Sequence, residues 1–303
     1  MSSSDRDSGL PPTTVQPLRQ RLQQAADLLE AAAVAEARPS AERLLLHALG
    51  RERSFLYAHP EYRLTPSEEQ QFAQLLQERA QGTPVQYLVG HQEFFGREFF
   101  VTPDVLIPRP ETEQAVETAL ALIPPDQPAL LADVGTGSGC IAVTLALERP
   151  QARVLAIDLS PHALQVAREN ARRLGAENMT FLHGDLLQPL LAHGPGELDA
   201  IVSNPPYIGA GELAGLQREV REFEPHMALT PGPTGLEAYA RIIPQAAALL
   251  HPGGWLVLEL GFRSADGVRR LLGADWDEIA VVPDLQGWDR VLKARKPLPS
   301  AAE

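Results

Sequence analysis

The chain has 303 residues, 44% of them hydrophobic and 21% charged, an ordinary balance for a globular protein and a length that allows two domains. Its 39 acidic side chains outnumber 26 basic ones, for a net charge of −13, the wrong sign for a protein that grips phosphate backbones over a wide face. Mean hydropathy is −0.13, no apolar run nears the roughly 18 residues of a membrane span, the N-terminal MSSSDRDSGLPPTT has no apolar stretch, and Cys140 is the single cysteine, so a membrane span, a secretory signal, a disulfide framework and a Cys-based zinc site are all disfavoured and the cytoplasm is the expected location.

Residues 1–16 are polar, Pro-rich and aperiodic, and are expected to form a disordered tail. Residues 17–85 read as a helical bundle. Leu18, Leu22, Ala25, Leu28 and Leu29 recur at three- and four-residue steps, a second helix is expected from Ser40, and a third from Ser67 behind Pro66. Gly82-Thr83-Pro84 ends the bundle. It carries no catalytic constellation, and its expected role is to dock a substrate protein. Over 86–108, Phe94, Phe95, Phe99, Phe100 and Val101 flank a Gly96-Arg97 turn and predict a hairpin linking two domains. Pro103, Pro108 and Pro110 then stiffen the chain, and Thr112 to Leu122 is helical.

An alternation of strands and helices follows. Strands are predicted at 130–134, 153–157, 179–182, 198–202, 255–260, 278–282 and 290–293. Between them, one helix runs to Leu147, and another follows a Ser160 cap with Pro161 at its first position. A third, through Leu250, is expected behind a Thr234/Glu237 capping box. The pattern predicts an α/β domain over 109–296 with a mainly parallel sheet and helices on both faces, and a flexible tail at 297–303.

The first of these strands ends in Asp133-Val-Gly135-Thr136-Gly137-Ser138-Gly139, which opens a helix. Such a turn lets backbone approach a ligand closely, and the helix start adds N–H groups. Asp158 ends the next strand, where a carboxylate can accept from ribose hydroxyls. The glycines run G-x-G-x-G, with Cys140 where a dinucleotide fingerprint would have its third glycine, and no Gly-Lys-Ser/Thr occurs, so NAD is disfavoured and a P-loop is excluded. S-adenosyl-L-methionine fits, with its ribose on Asp158 and its amino-acid tail near Asp133.

The strand at 198–202 runs into Ser203-Asn204-Pro205-Pro206-Tyr207. Ligands in open α/β sheets bind at the carboxyl ends of strands, so this segment is expected beside the glycine loop. The prolines offer no donors, the Asn204 side chain and the backbone carbonyls of Asn204 and Pro205 offer acceptors, and Tyr207 offers a flat face. Together they suit a planar NH2 group, whose delocalised lone pair makes it a poor nucleophile until it is oriented and its growing charge is stabilised.

With these motifs the chain resembles the class I, S-adenosylmethionine-dependent protein-glutamine N5-methyltransferases that modify peptide-chain release factors. Further matching segments are Pro84-Val-Gln-Tyr-Leu-Val-Gly90, Glu93-Phe94-Phe95-Gly96, Leu106-Ile-Pro-Arg-Pro-Glu-Thr-Glu113, Phe223-Glu224-Pro225, and Asp284 with Gly287 to Val291. The resemblance implies a Rossmann-like seven-stranded methyltransferase domain behind a small all-helical one. It places the cofactor on the glycine loop, Asp158, Asp185, Leu186 and Asn204, with Leu186 standing where some relatives carry a large aromatic residue. It places the acceptor glutamine on Asn204, Pro205, Pro206 and Tyr207, with Arg109 in the active-site wall. It implies as partner a class I release factor, methylated on the glutamine of its Gly-Gly-Gln loop, with no stable nucleic-acid binding. Adenine N6 methylation shares the chemistry, but the first 85 residues carry 9 basic and 11 acidic side chains and offer no basic groove. A non-catalytic S-adenosylmethionine sensor would not need Asn-Pro-Pro-Tyr. The eight histidines show no ligand spacing, so no metal site is expected. His183 is expected either in the adenine pocket or on the surface, Cys140 in the core, Glu111 and Glu113 either at a helix start or, beside Arg109, in the active-site wall, and Glu219, Glu222 and Glu224 on a solvated face.

Overall fold

The computed structural model describes residues 16–193 and 198–299, so residues 1–15 and 300–303 of the two expected tails lie outside the described residues. The chain divides into two compact units between Val89 and Gly90.

The first unit is α1 (Leu18–Ala31), α2 (Ala37–Leu49), α3 (Ser54–Ala58), α4 (Pro66–Ala80) and α5 (Val85–Val89). Its core gathers Leu18, Leu22, Leu29, Leu44, Phe72 and Leu76, the apolar stripes of the three longer helices turned inward, while Leu28 is exposed. Two helix starts differ from expectation. α2 begins before Ser40, whose buried hydroxyl accepts from Arg79, and Pro39 sits in the first turn, where a missing N–H costs little. α4 begins at Pro66, because Thr65 is the cap: its Oγ1 accepts from the Glu68 N–H and the Glu68 carboxylate accepts from the Thr65 N–H at 2.7 Å. α5 also takes up Gln86, at the start of the expected linker.

The second unit opens with β1 (His91–Phe94) and β2 (Arg97–Phe100), an antiparallel hairpin with Phe95 and Gly96 both left-handed at its turn. It is more than a linker. Phe94 and Phe99 are fully buried in this unit's core, with their rings edge to face at 5.9 Å. A 3-10 turn, Pro110–Thr112, leads into α6 (Glu113–Leu122). Then follow β3 (Leu130–Val134), α7 (Cys140–Glu148), β4 (Arg153–Asp158), α8 (Pro161–Leu174), β5 (Met179–His183), α9 (Gln188–His193), β6 (Leu198–Ser203), α10 (Arg218–Phe223), α11 (His226–Leu229), α12 (Glu237–Leu249), β7 (Leu250–Glu259), α13 (Ala265–Leu272), β8 (Asp277–Pro283) and β9 (Asp289–Arg295). The Ser160 cap forms, with its Oγ accepting from the Ala163 N–H. The Thr234/Glu237 box forms only by half: Glu237 accepts from Thr234, but the Thr234 hydroxyl takes the Leu236 N–H, ahead of the helix.

The sheet order is β5-β4-β3-β6-β7-β9-β8. β3 to β7 are parallel, and β9 runs antiparallel to both β7 and β8. The inner strands are buried on both faces, which is why they read as near-continuous apolar runs. Residues of α6 and α7 pack one face and residues of α12 and α13 the other. The direction of winding reverses between β3 and β6, and a crevice opens there at the carboxyl ends of the strands.

Candidate active site

The connections after β5, β4, β3 and β6 leave that edge side by side. Around them lies a cavity of about 290 Å³ whose wall includes Gly135, Gly137, Asp158, Asp185, Leu186 and Asn204. All of these were singled out in the sequence, as was Pro206, which also lines it.

The glycine loop is pinned to β4, where the Ile157 carbonyl accepts from the N–H groups of both Gly135 and Thr136 at 2.9 Å. Gly135, Gly137 and Gly139 all have positive φ, which glycine adopts without strain. A Cβ on Gly135 would meet nothing within 4 Å, so this backbone borders open space that a ligand can fill. A Cβ on Gly139 would instead lie 3.0 Å from that of Ala167 on α8. Asp133 is buried beneath the loop. Its Oδ2 accepts from the Thr136 hydroxyl at 2.6 Å and the Ala142 N–H at 3.2 Å, and Oδ1 has no partner. Burial pushes its carboxyl up to about 7. Thr136 and Ser138 are buried too. Of the expected cofactor residues in the loop, Gly135 and Gly137 therefore border the cavity, while Asp133, Thr136, Ser138 and Gly139 support the turn from below.

Asp158 accepts from the Gly137 and Ser160 N–H groups, both at 2.8 Å, and burial raises its pKa above the usual carboxylate range. A carboxylate has about four acceptor sites, so capacity remains toward the cavity. Asp185 is ion-paired with Arg241 of α12. Leu186 is left-handed at φ 53°, a strained setting for a residue with a Cβ. His183 is exposed and bonds the Leu159 carbonyl, and it is not part of this wall. Cys140 is buried, its thiol pushed up to about 12.

Beside the loop, the Ser203 hydroxyl donates to the Val134 carbonyl at 2.7 Å and ties the end of β6 to the end of β3. The Asn204 amide donates through Nδ2 to Thr112 Oγ1 at 3.1 Å. Pro205 is buried. The Tyr207 ring lies against Gly261, where a Cβ would come within 2.7 Å of it, and its hydroxyl donates weakly to Glu259 at 3.5 Å. Burial raises the Tyr207 phenol well above its ordinary value. Glu259 is 1% exposed, and Oε2 has no partner. Burial pushes its carboxyl up to about 7, while the neighbouring Thr112 hydroxyl and the Arg290 charge pull it back. The sequence assigned no site role to Glu259, or to Thr112 although it stands in the matching segment Leu106 to Glu113. The available signal was a lone acid in the apolar run Trp255-Leu-Val-Leu-Glu-Leu260.

Glu224 corrects the expectation of a solvated face. It is 3% exposed and accepts from the Arg109 guanidinium and, at 3.2 Å, from the Ile107 N–H. An apolar surround could not leave such a carboxylate unpaired, so it clamps the Ile-Pro-Arg-Pro segment. Arg109 is thus held by Glu224 and is absent from the cavity wall. Glu113 accepts from the Phe95 N–H at the hairpin turn. Among the described residues, no helix is long and apolar enough to cross a membrane, and no three His, Cys, Asp or Glu side chains cluster as a metal site.

A seven-stranded, mainly parallel sheet with a glycine loop open to a cavity and Asn-Pro-Pro-Tyr on the adjacent strand defines an S-adenosylmethionine-dependent methyltransferase with a Rossmann-like fold. Residues 130–260 match the family described as methyltransferase domain, and residues 20–90 match the PrmC N-terminal domain. A release factor glutamine methyltransferase from Koribacter versatilis is 46% identical over 281 residues, which cover 92% of this chain and 99% of that protein. One from Moorella thermoacetica is 48% identical, covering 91% and 98%. Among solved structures, the hMettl16 catalytic domain with the MAT2A 3′UTR hairpin 6 superposes at a TM-score of 0.54 and 18% identity, covering 76% of this chain and 84% of that one, a likeness of fold alone. The chain belongs to the release factor glutamine methyltransferase family.

Proposed function

We propose that this chain transfers a methyl group from S-adenosylmethionine to the side-chain amide nitrogen, N5, of the glutamine in the Gly-Gly-Gln loop of class I peptide-chain release factors, in the cytoplasm and without stable nucleic-acid binding. The observation that carries the chemistry is the adjacency of two features at one sheet edge: a glycine loop bordering open space and an acceptor-rich Asn204–Tyr207 segment. The acceptor protein is inferred from membership of the family.

The order of the four connections suggests how the residues share the work. Asp185 and Leu186 would flank the adenine, Asp158 the ribose, and the glycine loop the amino-acid tail, which brings the reactive end toward Asn204. When bound, S-adenosylmethionine supplies an electrophilic methyl group on a sulfonium. Asn204 Oδ1 and the Pro205 carbonyl accept the two amide hydrogens, hold the nitrogen in line, and stabilise the positive charge that grows on it. The Tyr207 ring packs against the flat amide. No strong base is needed beforehand, because the nitrogen becomes acidic only as the methyl arrives. Methyl transfer from labelled cofactor to purified release factor, tRNA and duplex DNA tests the reading. Label is expected in the release factor alone and lost when its loop glutamine is replaced by alanine. Label in either nucleic acid would replace this reading with adenine methylation.

A further inference from the structure

We infer that Thr112 is a positioning residue for methyl transfer: its hydroxyl fixes which end of the Asn204 amide is presented to the acceptor nitrogen. This rests on the proposed amide acceptor. Thr112 ends the 3-10 turn and leads into α6 with helical backbone angles, φ −68° and ψ −22°, unlike the extended cap residue whose hydroxyl takes an N–H of the first turn. Here it makes no such bond. The side chain is 2% exposed and accepts from Asn204 Nδ2 at 3.1 Å.

The sense of that bond matters. An amide rotated by half a turn would receive the Thr112 proton on its carbonyl oxygen. Its NH2 would then face the NH2 of an incoming glutamine, donor against donor, with no acceptor for the developing positive charge. Thr112 stands between Asn204 and the buried Glu259 carboxylate, whose ionised form it favours. A hydroxyl has one proton, and while Glu259 is ionised that proton is drawn toward the carboxylate and the oxygen is left to accept. Asn204 therefore turns its NH2 to Thr112, and Oδ1, which takes no hydrogen bond among the described residues, stays available on a residue that lines the cavity. Glu259 also receives the Tyr207 hydroxyl, so both ends of the Asn-Pro-Pro-Tyr segment are tied to the same buried pair.

The test uses the full chain with a release factor as acceptor. Thr112→Val keeps the shape and removes the hydroxyl. It should lower kcat by about 10- to 100-fold, the range expected when a reacting group is misplaced by about an ångström, with S-adenosylmethionine affinity within about threefold of wild type. Thr112→Ser should restore kcat to within about threefold. In an Asn204→Ala background, itself slower by about 10²- to 10³-fold, Thr112→Val should cost almost nothing more, because the amide it orients is gone. A purely structural role for Thr112 predicts equal losses in both backgrounds, and that result overturns the inference, as does a Thr112→Val enzyme with wild-type kcat. Should Thr112→Val fail to bind cofactor, Thr112→Ala must show the same pattern or the inference falls. A wild-type protein that leaves the release factor unmethylated overturns the acceptor assignment and this inference with it, and the wild-type control alone reveals that case.

Discussion

A half-buried carboxylate and a fully buried one show how one type of residue is set to different tasks by its surroundings. Asp158 lies at the cavity, its charge held by the Gly137 and Ser160 N–H groups against the cost of burial. If it accepts from the ribose, each charge-assisted bond is worth roughly 1.5–3 kcal/mol. Asp158→Ala should then weaken S-adenosylmethionine binding by about 10- to 150-fold in a folded protein, and calorimetry giving unchanged affinity would reject the assignment. Glu259 is buried more deeply, with Thr112, Arg290 and Tyr207 favouring its charge and Glu111 opposing it, and in the fold its carboxyl is pushed up from 4.5 to about 7. Between those values the folded state binds more protons than the unfolded one. The contribution of Glu259 to stability is therefore full below about 4.5, falls as pH rises, and levels off above about 7. Glu259→Gln removes this dependence. Thermal melts should show the variant gaining on wild type from pH 4.5 to 7.5, by about 3 kcal/mol at most. Asp133, Asp158 and Glu224 are raised as well, but they are present in both proteins and cancel in the difference. A constant difference across that range would mean that Glu259 titrates normally.

At the scale of elements, the glycine loop shows two different needs for the same residue type. Gly139 is both left-handed, at φ 82°, and pressed against α8. Gly139→Ala should lose about 1–2 kcal/mol to conformation and a further 1–3 kcal/mol to crowding, read as a lower denaturant midpoint. Gly135→Ala should incur the conformational cost alone, yet weaken cofactor binding more, since its methyl would project into open cavity. The reverse ranking of the two variants would contradict the packing described. These glycines, the strand runs and the Ser160 cap were legible in the sequence because each depends on local chemistry: backbone freedom, β-branched apolar residues, and a hydroxyl three residues before its N–H. The start of α4 is ambiguous in the sequence because Thr65 and Ser67 both suit a cap, with Glu68 and Gln70 three residues on, and the structure takes Thr65, which places Pro66 at the first helical position. Glu224, Thr112 and Glu259 were not legible as site residues. Their partners stand far away in the chain, as Ile107 and Arg109 do from Glu224, and a carboxylate beside a proline looks the same whether it faces water or a buried arginine.

The whole molecule joins a helical unit with its own core to a catalytic unit with its own, and the chemistry lies in the second: each residue of the cavity wall falls after Gly90. The helical unit then needs another reason to exist. A release factor is far larger than one glutamine side chain, and contact area remote from the reaction can supply binding energy that orients the reacting group. Docking of the substrate protein is the role we propose for residues 17–89. The hairpin belongs with the catalytic unit, since Phe94 and Phe99 fill its core and both backbone groups of Phe100 bond Asn170. A shortened chain should accordingly begin at Gly90 and keep the hairpin. It is expected to bind S-adenosylmethionine within a few-fold of the full chain and to lose most of its kcat/KM on intact release factor. On a short peptide containing Gly-Gly-Gln, a poor substrate for both proteins, the loss should be much smaller, because the peptide lacks the body that the helical unit would hold. Measuring both acceptors with both proteins separates recognition from support. Equal losses on peptide and protein, in a shortened chain that still binds cofactor, would mean that the helices stabilise the active site and do not select the partner.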